Sequence, residues 1–140
     1  MKGRISYLMD KQVLKAFPYY KDFQGNFYPI IPLVLFNKSK RLDTDALVDS
    51  GASISIFQPA IAELLGIKIL SGKEIYLGGV GGRIKGYIHN LEIAVASKNF
   101  VCPIVFSFEY HVSVNLLGRD SVFEKFRIIF EEKYRKISFD

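Results

Sequence analysis

The chain has 140 residues, 49% hydrophobic, 14% aromatic and 24% charged, which excludes a disordered polypeptide and suits one folded domain with a sizeable core. Its net charge of +5 permits weak attraction to anionic surfaces, but the basic residues are spread out, and the longest run, Lys38–Arg41, is interrupted by a serine. A solvated basic surface is therefore expected rather than a nucleic-acid interface. A single cysteine, Cys102, excludes an intramolecular disulfide framework.

Asp10, Lys11 and Lys15 interrupt the start of the chain, so no signal-peptide core is read there. The longest apolar run, Pro29–Phe36, is too short to span a bilayer. No membrane partner and a cytoplasmic location are the expectations.

In chain order, residues 1–25 read as an extension or arm. Tyr7-Leu8-Met9 and Val13-Leu14 alternate with charge there, before Phe17-Pro18-Tyr19-Tyr20. The segment suits a strand pair or an arm packed on another protomer. Residues 26–140 read as the main domain. Asn26–Phe36 is β-rich, with Pro29 and Pro32 placing its first half at an edge or bulge. Asn37–Asp43 reads as a polar hairpin loop, and Thr44–Asp49 as the next strand, running into Ser50-Gly51-Ala52.

Ile54-Ser55-Ile56 reads as the strand leaving that turn. Pro59 suits the first turn of a helix over Ala60–Leu65, with Gly66 as its stop, and Ile67–Leu70 then reads as a strand. Glu74–Leu77 and Arg83–Ile88 flank Gly78-Gly79-Val80-Gly81-Gly82, a β-hairpin with a glycine tip. Leu91–Val95 and Phe100–Phe108 read as two more strands. After Asn115-Leu116-Leu117-Gly118-Arg119-Asp120, a second short helix is expected to Phe126, capped by Asp120 or Ser121. The last strands, Arg127–Glu131 and Lys133–Phe139, read as a hairpin. The sum is an all-β domain with two short helices.

Most chemistries fail on residue supply or spacing. His89, His111 and Cys102 lack close ligand spacing, so no metal and no other cofactor is expected, and Cys102 beside Pro103 reads as a buried inert thiol. Ser50 and Ser53 lack the Gly-x-Ser-x-Gly elbow. The glycine tip is no phosphate loop, because Tyr87-Ile88 stands where Lys and Ser or Thr are required. A strand barrel binding single-stranded nucleic acid would need its many Tyr and Phe on one basic face. That leaves Asp49. A carboxylate straight after an apolar strand is costly to bury unless hydrogen-bonded or paired, although an Asp in a small-residue turn is commonly just an Asx-turn.

Three features in one order shift that balance: Asp49-Ser50-Gly51-Ala52, the Gly78–Gly82 tip, and Leu116-Leu117-Gly118-Arg119-Asp120. In these the chain resembles the retropepsin-like aspartic proteases, the clan that includes retroviral proteases, over roughly Pro29–Phe139. The resemblance implies a closed β-barrel-type protomer and an aspartic endopeptidase acting on peptide or protein substrates. Asp49 is its catalytic residue, supported by Ser50, Gly51 and Ala52, and Gly78, Gly79, Val80, Gly81 and Gly82 form a flap over the substrate. Leu77, Val80 and Ile84 are candidate pocket walls, and Gly118, Arg119 and Asp120 are structural.

Only one such carboxylate motif is present, which implies a homodimer with Asp49 from each chain at the two-fold axis. A non-catalytic dimeric peptide-binding module keeping the same fold is the alternative. The chain departs from viral members in lacking an acidic residue just after Ala52: Ser53 and Ile54 stand there. The partner of Arg119 is then Asp120, Glu124 or a residue of the other protomer. The Pro59–Leu65 helix is also longer than viral members carry and suits cellular relatives.

Overall fold

Alternation along each strand decides which face is buried. A computed structural model of the chain describes residues 14–140, and the alternating stretch Tyr7-Leu8-Met9 lies outside them. In strand β4 (Ile30–Asn37), Ile31, Leu33 and Leu35 are buried while Pro32 faces out. Pro32 carries no N–H, and its outward position on the strand suits that loss. Strand β5 (Lys40–Val48) pairs antiparallel with β4 across its full length, from Ile30↔Leu47 to Asn37↔Lys40. The connection is thus a tight turn at Lys38-Ser39 rather than the long polar loop expected from Asn37 to Asp43. Polar residues here occupy the exposed face of a strand instead, and Lys38 takes the left-handed conformation, φ 56°.

Among the described residues, three short strands precede β4: β1 (Lys15–Pro18), β2 (Tyr20–Lys21) and β3 (Phe27–Tyr28). After β5 come β6 (Ser55–Phe57), helix α1 (Pro59–Leu64), β7 (Lys73–Gly79), β8 (Gly82–Val95) and β9 (Lys98–Phe106). The chain closes with β10 (Leu116–Leu117), β11 (Ile128–Glu131) and β12 (Lys136–Phe139). The main sheet runs β4-β5-β10-β6-β9-β8-β7, and β4 also pairs with β8 at Val34↔Ala94, Leu35↔Ile93 and Phe36↔Glu92. The result is a barrel-like ring with β7 appended to β8. Inside lies one large apolar cluster that includes Leu35, Phe57, Ile93, Ile104, Phe106 and Leu117.

Helix α1 has Pro59 in its first turn and buries Ile61 and Ala62; Gly66 follows it, donating its N–H to Glu63 O at 3.0 Å. Two other expectations are corrected. Ile67–Leu70 is no strand: Ile69–Ser71 forms a 3₁₀ turn whose apolar anchor, Ile69, is buried against the core. The second α-helix is also absent. Only a 3₁₀ turn, Phe123–Lys125, forms there, without a side-chain cap, because Ser121 takes φ 64° and breaks helical geometry one residue into the segment. β8 is one continuous strand through what read as two, since Asn90 pairs with Pro103 without a break.

β1 belongs to a second, three-stranded sheet of order β1-β12-β11. Lys15 faces Phe139 and Pro18 faces Lys136, so this part of the extension pairs with the end of the same chain. Edge-to-face stacking of Phe17 and Phe126 on Phe139 closes the seam.

In the main sheet β10 lies between β5 and β6. It pairs parallel with β5 (Leu116↔Leu47, Leu117↔Val48) and antiparallel with β6 (Leu116↔Ile56). As the chain leaves this slot, a Cβ on Gly118 would stand 2.5 Å from both C and O of Ile54 and 2.9 Å from Ala52 O. These neighbours are backbone and cannot swing away. Gly118→Ala is therefore expected to destabilise the protein by about 3 kcal/mol, read as a lowered urea midpoint at unchanged m-value.

Candidate active site

Along β5, Ala46 and Val48 enter the core, so Asp45, Leu47 and Asp49 fall on the opposite face. Asp49 prolongs the β5–β10 ladder by one rung, its N–H donating to Leu117 O at 3.0 Å. The chain then turns. Gly51 N–H donates to Asp49 Oδ1 at 2.9 Å, and Ala52 N–H donates to Asp49 O at 3.2 Å. This is an Asx-turn, and it fixes the carboxylate rather than hiding it. Asp49 stays half-buried, and among the described residues its Oδ2 accepts no hydrogen bond.

The same turn is stapled from its far side by the residues following β10. Arg119 N–H donates to Ala52 O at 2.9 Å, Asp120 N–H to Ser53 O at 3.0 Å, and Gly118 N–H to the buried Ser55 Oγ at 2.9 Å. Asn115 secures the other end of β10. It is buried, donates through Nδ2 to Asp45 O at 3.0 Å, and accepts from Gln58 N–H at 2.8 Å. The structure thus brings Asp49, Ser50, Gly51 and Ala52 against Gly118, Arg119 and Asp120, as the three-motif order implied. The Arg119 side chain is exposed, and among the described residues neither Asp120 nor Glu124 lies within ion-pairing distance of it. The Asp120 carboxylate instead accepts the Ser121 hydroxyl at 2.9 Å.

The glycine-tipped hairpin is formed by β7 and β8, paired from Lys73↔Ile88 to Gly79↔Gly82 with Val80-Gly81 as the turn. Gly82 has φ 111°, a conformation that a side chain would strain. Val80 is fully exposed, and no atom lies within 4 Å of where a Cβ would sit on Gly78, Gly79, Gly81 or Gly82. The tip therefore stands clear of the rest of the described chain. Its base is held: a single turn, Ser107-Phe108-Glu109, clamps the Lys85 peptide from both sides. Lys85 N–H donates to Glu109 Oε2 at 2.8 Å, and the Ser107 hydroxyl donates to Lys85 O.

Between this hairpin and the Asp49 turn lies a cavity of about 460 Å³. Gly51, Ala52 and Ile54 face Leu77 and Ile84 across it, with Tyr110 in its wall, whereas Val80 projects away. A second, smaller apolar cluster of Ile56, Val105 and Tyr110 backs the same cavity.

Tyr110 was not legible as a site residue, because an isolated tyrosine after a turn carries no motif. Its hydroxyl donates to Val114 O at 2.6 Å. Burial first, and then the negative charge of nearby Asp49, push its phenol up to about 12. Ser55 and Asn115 were likewise missed; their only signal was a polar residue set among buried apolar ones. Cys102 is fully buried, and burial raises its thiol to about 11, which keeps it protonated and unreactive at neutral pH. His89 Nε2 lies 2.9 Å from Ile69 O and serves packing. Among the described residues no helix is long and apolar enough to cross a membrane.

An all-β ring that threads one strand through a slot to hold a carboxylate turn beneath a glycine hairpin defines the retropepsin-like aspartic protease fold. The sequence matches the aspartyl protease family over residues 34–120, more than half of its length, and the chain belongs to that family. No curated protein matches it. Among solved structures it is similar to a retropepsin-like aspartic protease from Rickettsia conorii, with 18% identity, a TM-score of 0.61, and 91% of this chain and 90% of that one covered. It is also similar to EIAV protease in complex with the inhibitor HBY-793, with 19% identity, a TM-score of 0.55, and 70% and 86% covered. At these identities the likeness is one of fold.

The Tyr110 geometry fixes an alkaline signature. Its folded-state titration is raised from 10.0 to about 12, so between these values the unfolded chain loses a proton that the folded protein keeps. Stability is therefore complete below pH 10 and falls as pH rises through this window. Tyr110→Phe is expected to lose about 1 kcal/mol at neutral pH with its hydrogen bond to Val114, and to show a shallower alkaline decline in urea-unfolding curves.

Proposed function

We propose that the protein is an aspartic endopeptidase whose active site forms at a homodimer two-fold from Asp49 of each chain. The observation that carries this reading is the Asp49 turn. One carboxylate is fixed through a single oxygen, left accessible beside an apolar cavity, and flanked by Ser50 and Gly51, both exposed. Small exposed residues allow a second copy of the turn to approach, and the Ser50 hydroxyl can hydrogen-bond across. β11 supports the same assembly. Among the described residues it pairs only with β12, so its outer edge is open, and Phe130 on it is exposed.

Two carboxyls in contact cannot both ionise readily, so the pair holds one proton. The ionised member takes a proton from water as the water oxygen bonds to the scissile carbonyl carbon. The protonated member hydrogen-bonds the carbonyl oxygen and passes its proton to it, so that a tetrahedral diol forms and the pair again holds one proton. The diol collapses as a proton passes to the amide nitrogen and the C–N bond breaks, which restores the shared proton. The Gly78–Gly82 hairpin serves as a flap over an extended peptide, with the Val80 N–H as its contact to the substrate backbone, and its closure expels water. Apolar side chains fit the cavity between Leu77, Ile84 and Ile54.

Asp49→Asn is expected to lower peptide cleavage by about 10²- to 10⁴-fold or more, while sedimentation still shows the dimer and circular dichroism the fold. Full activity in this variant would sink the proposal. Peptide binding without cleavage by the unaltered protein would favour the peptide-binding module instead. The rate should follow a bell-shaped pH profile with its maximum in mild acid: it falls on one side as the single charge is neutralised and on the other as the shared proton is lost.

A further inference from the structure

A second cavity, of about 560 Å³, lies along β5 and has a different character. Its apolar part is Ile30 and Leu47, and it is also lined by Tyr20, Tyr28, Asp22 and Asp45. Strand alternation ties it to the candidate site, because Asp45, Leu47 and Asp49 share the outward face of β5. At roughly 3.3 Å per residue, Asp45 and Asp49 are about 13 Å apart along the strand, with Leu47 midway.

The two carboxylates differ in their commitments. Asp22 Oδ1 already accepts the N–H groups of Gln24 and Asn26, at 3.0 and 2.8 Å, and so shapes its own loop. Among the described residues the Asp45 carboxylate accepts no hydrogen bond and makes no ion pair, in contrast to Asp43 one rung earlier, which pairs with Arg41 at 3.2 Å. Neither Lys nor Arg lines the cavity. An apolar lining, two aromatic rings and a carboxylate without a partner among the described residues make a site for one kind of side chain: a long aliphatic stem with a cationic head. The stem lies over Leu47 and Ile30, while the head meets Asp45 and the tyrosine faces.

We propose that this cavity is a specificity pocket for a lysine or arginine side chain of the substrate peptide, read by Asp45. The proposal rests on the endopeptidase reading above and adds to it a basic residue at one position near the cut bond. The apolar cavity under the hairpin supplies the neighbouring preference, so the expected substrate combines a basic and an apolar residue.

The test is a positional scan of unstructured octapeptides, with Lys, Arg, norleucine or Glu at one position at a time. Cleavage is measured with the unaltered protein, and binding with Asp49→Asn protein. Norleucine keeps the lysine stem and lacks its charge. At one position Lys or Arg is expected to exceed norleucine by roughly tenfold, with Glu weakest, and the preference should shrink in high salt. In Asp45→Asn the ratio of Lys to norleucine should fall to near one, and in Asp45→Lys the preference should turn towards Glu. Asp45 is exposed, so both variants should fold, which circular dichroism checks. Equal binding of Lys and norleucine peptides at every position, a Lys preference that survives Asp45→Asn, or no peptide binding at all would overturn the pocket. If Lys-dependent binding is present and lost in Asp45→Asn while nothing is cleaved, the pocket stands and the endopeptidase reading falls.

Discussion

The structure depends on one constraint: a two-residue strand, β10, held between two others. Leu116 and Leu117 pair with β5 on one side and Leu116 with β6 on the other, and the backbone groups from Leu117 to Asp120 hold both ends of the Asp49 turn. A carboxylate-bearing turn is locally adaptable, and left alone it would sample many arrangements. Here Leu117 O holds its first N–H, and the N–H groups of Arg119 and Asp120 hold the carbonyls of Ala52 and Ser53. The slot admits a backbone only because Gly118 has no side chain. Sheet pairing is thereby converted into the position of a single functional group.

The packing around that slot has two parts with different roles. The large cluster inside the ring carries fully buried side chains such as Leu35, Phe57, Ile93 and Leu117, and fixes the frame. The smaller cluster of Ile56, Val105 and Tyr110 has half-buried neighbours, Leu77, Ile84 and Leu116, which line open space instead of filling it. A frame packed to completion beside a wall left incomplete is what a ligand-accepting protein requires, since buried apolar area stabilises the first and vacancy defines the second. The hairpin follows the same division. Its Lys85 peptide is clamped by the Ser107–Glu109 turn, whereas its glycine tip has open space around it among the described residues.

The sequence was most legible where physics is local. Asp49-Ser50-Gly51-Ala52 sets up an Asx-turn by itself, because the bond from Gly51 N–H to Asp49 Oδ1 spans only two residues. The glycine tip and the Pro59 helix start are likewise short-range signals. Legibility failed where a local pattern competed with distant packing. Ile67–Leu70 has strand-like composition, yet burial of Ile69 draws it into a 3₁₀ turn. Val122 and Phe123 suggested a helical face, but the chain must turn at Ser121 to keep Asp120 N–H on Ser53 O. Ser55 and Asn115 carried only the faint signal of a polar residue among apolar ones, since each acts through a partner remote in sequence, Ser55 with Gly118 and Asn115 with Asp45 and Gln58.

By itself, then, the sequence determined the all-β class, the three motifs and the identity of the one carboxylate worth following, because turn chemistry, glycine content and strand alternation are written over a few residues. Only the tertiary structure decided that Tyr110 lies within reach of the Asp49 charge, that β1 pairs with β12, and that Asp45 lines one cavity with Tyr20 and Tyr28. Those relations join segments far apart along the chain, and their free energy comes from burial and pairing that exist only once the ring has closed.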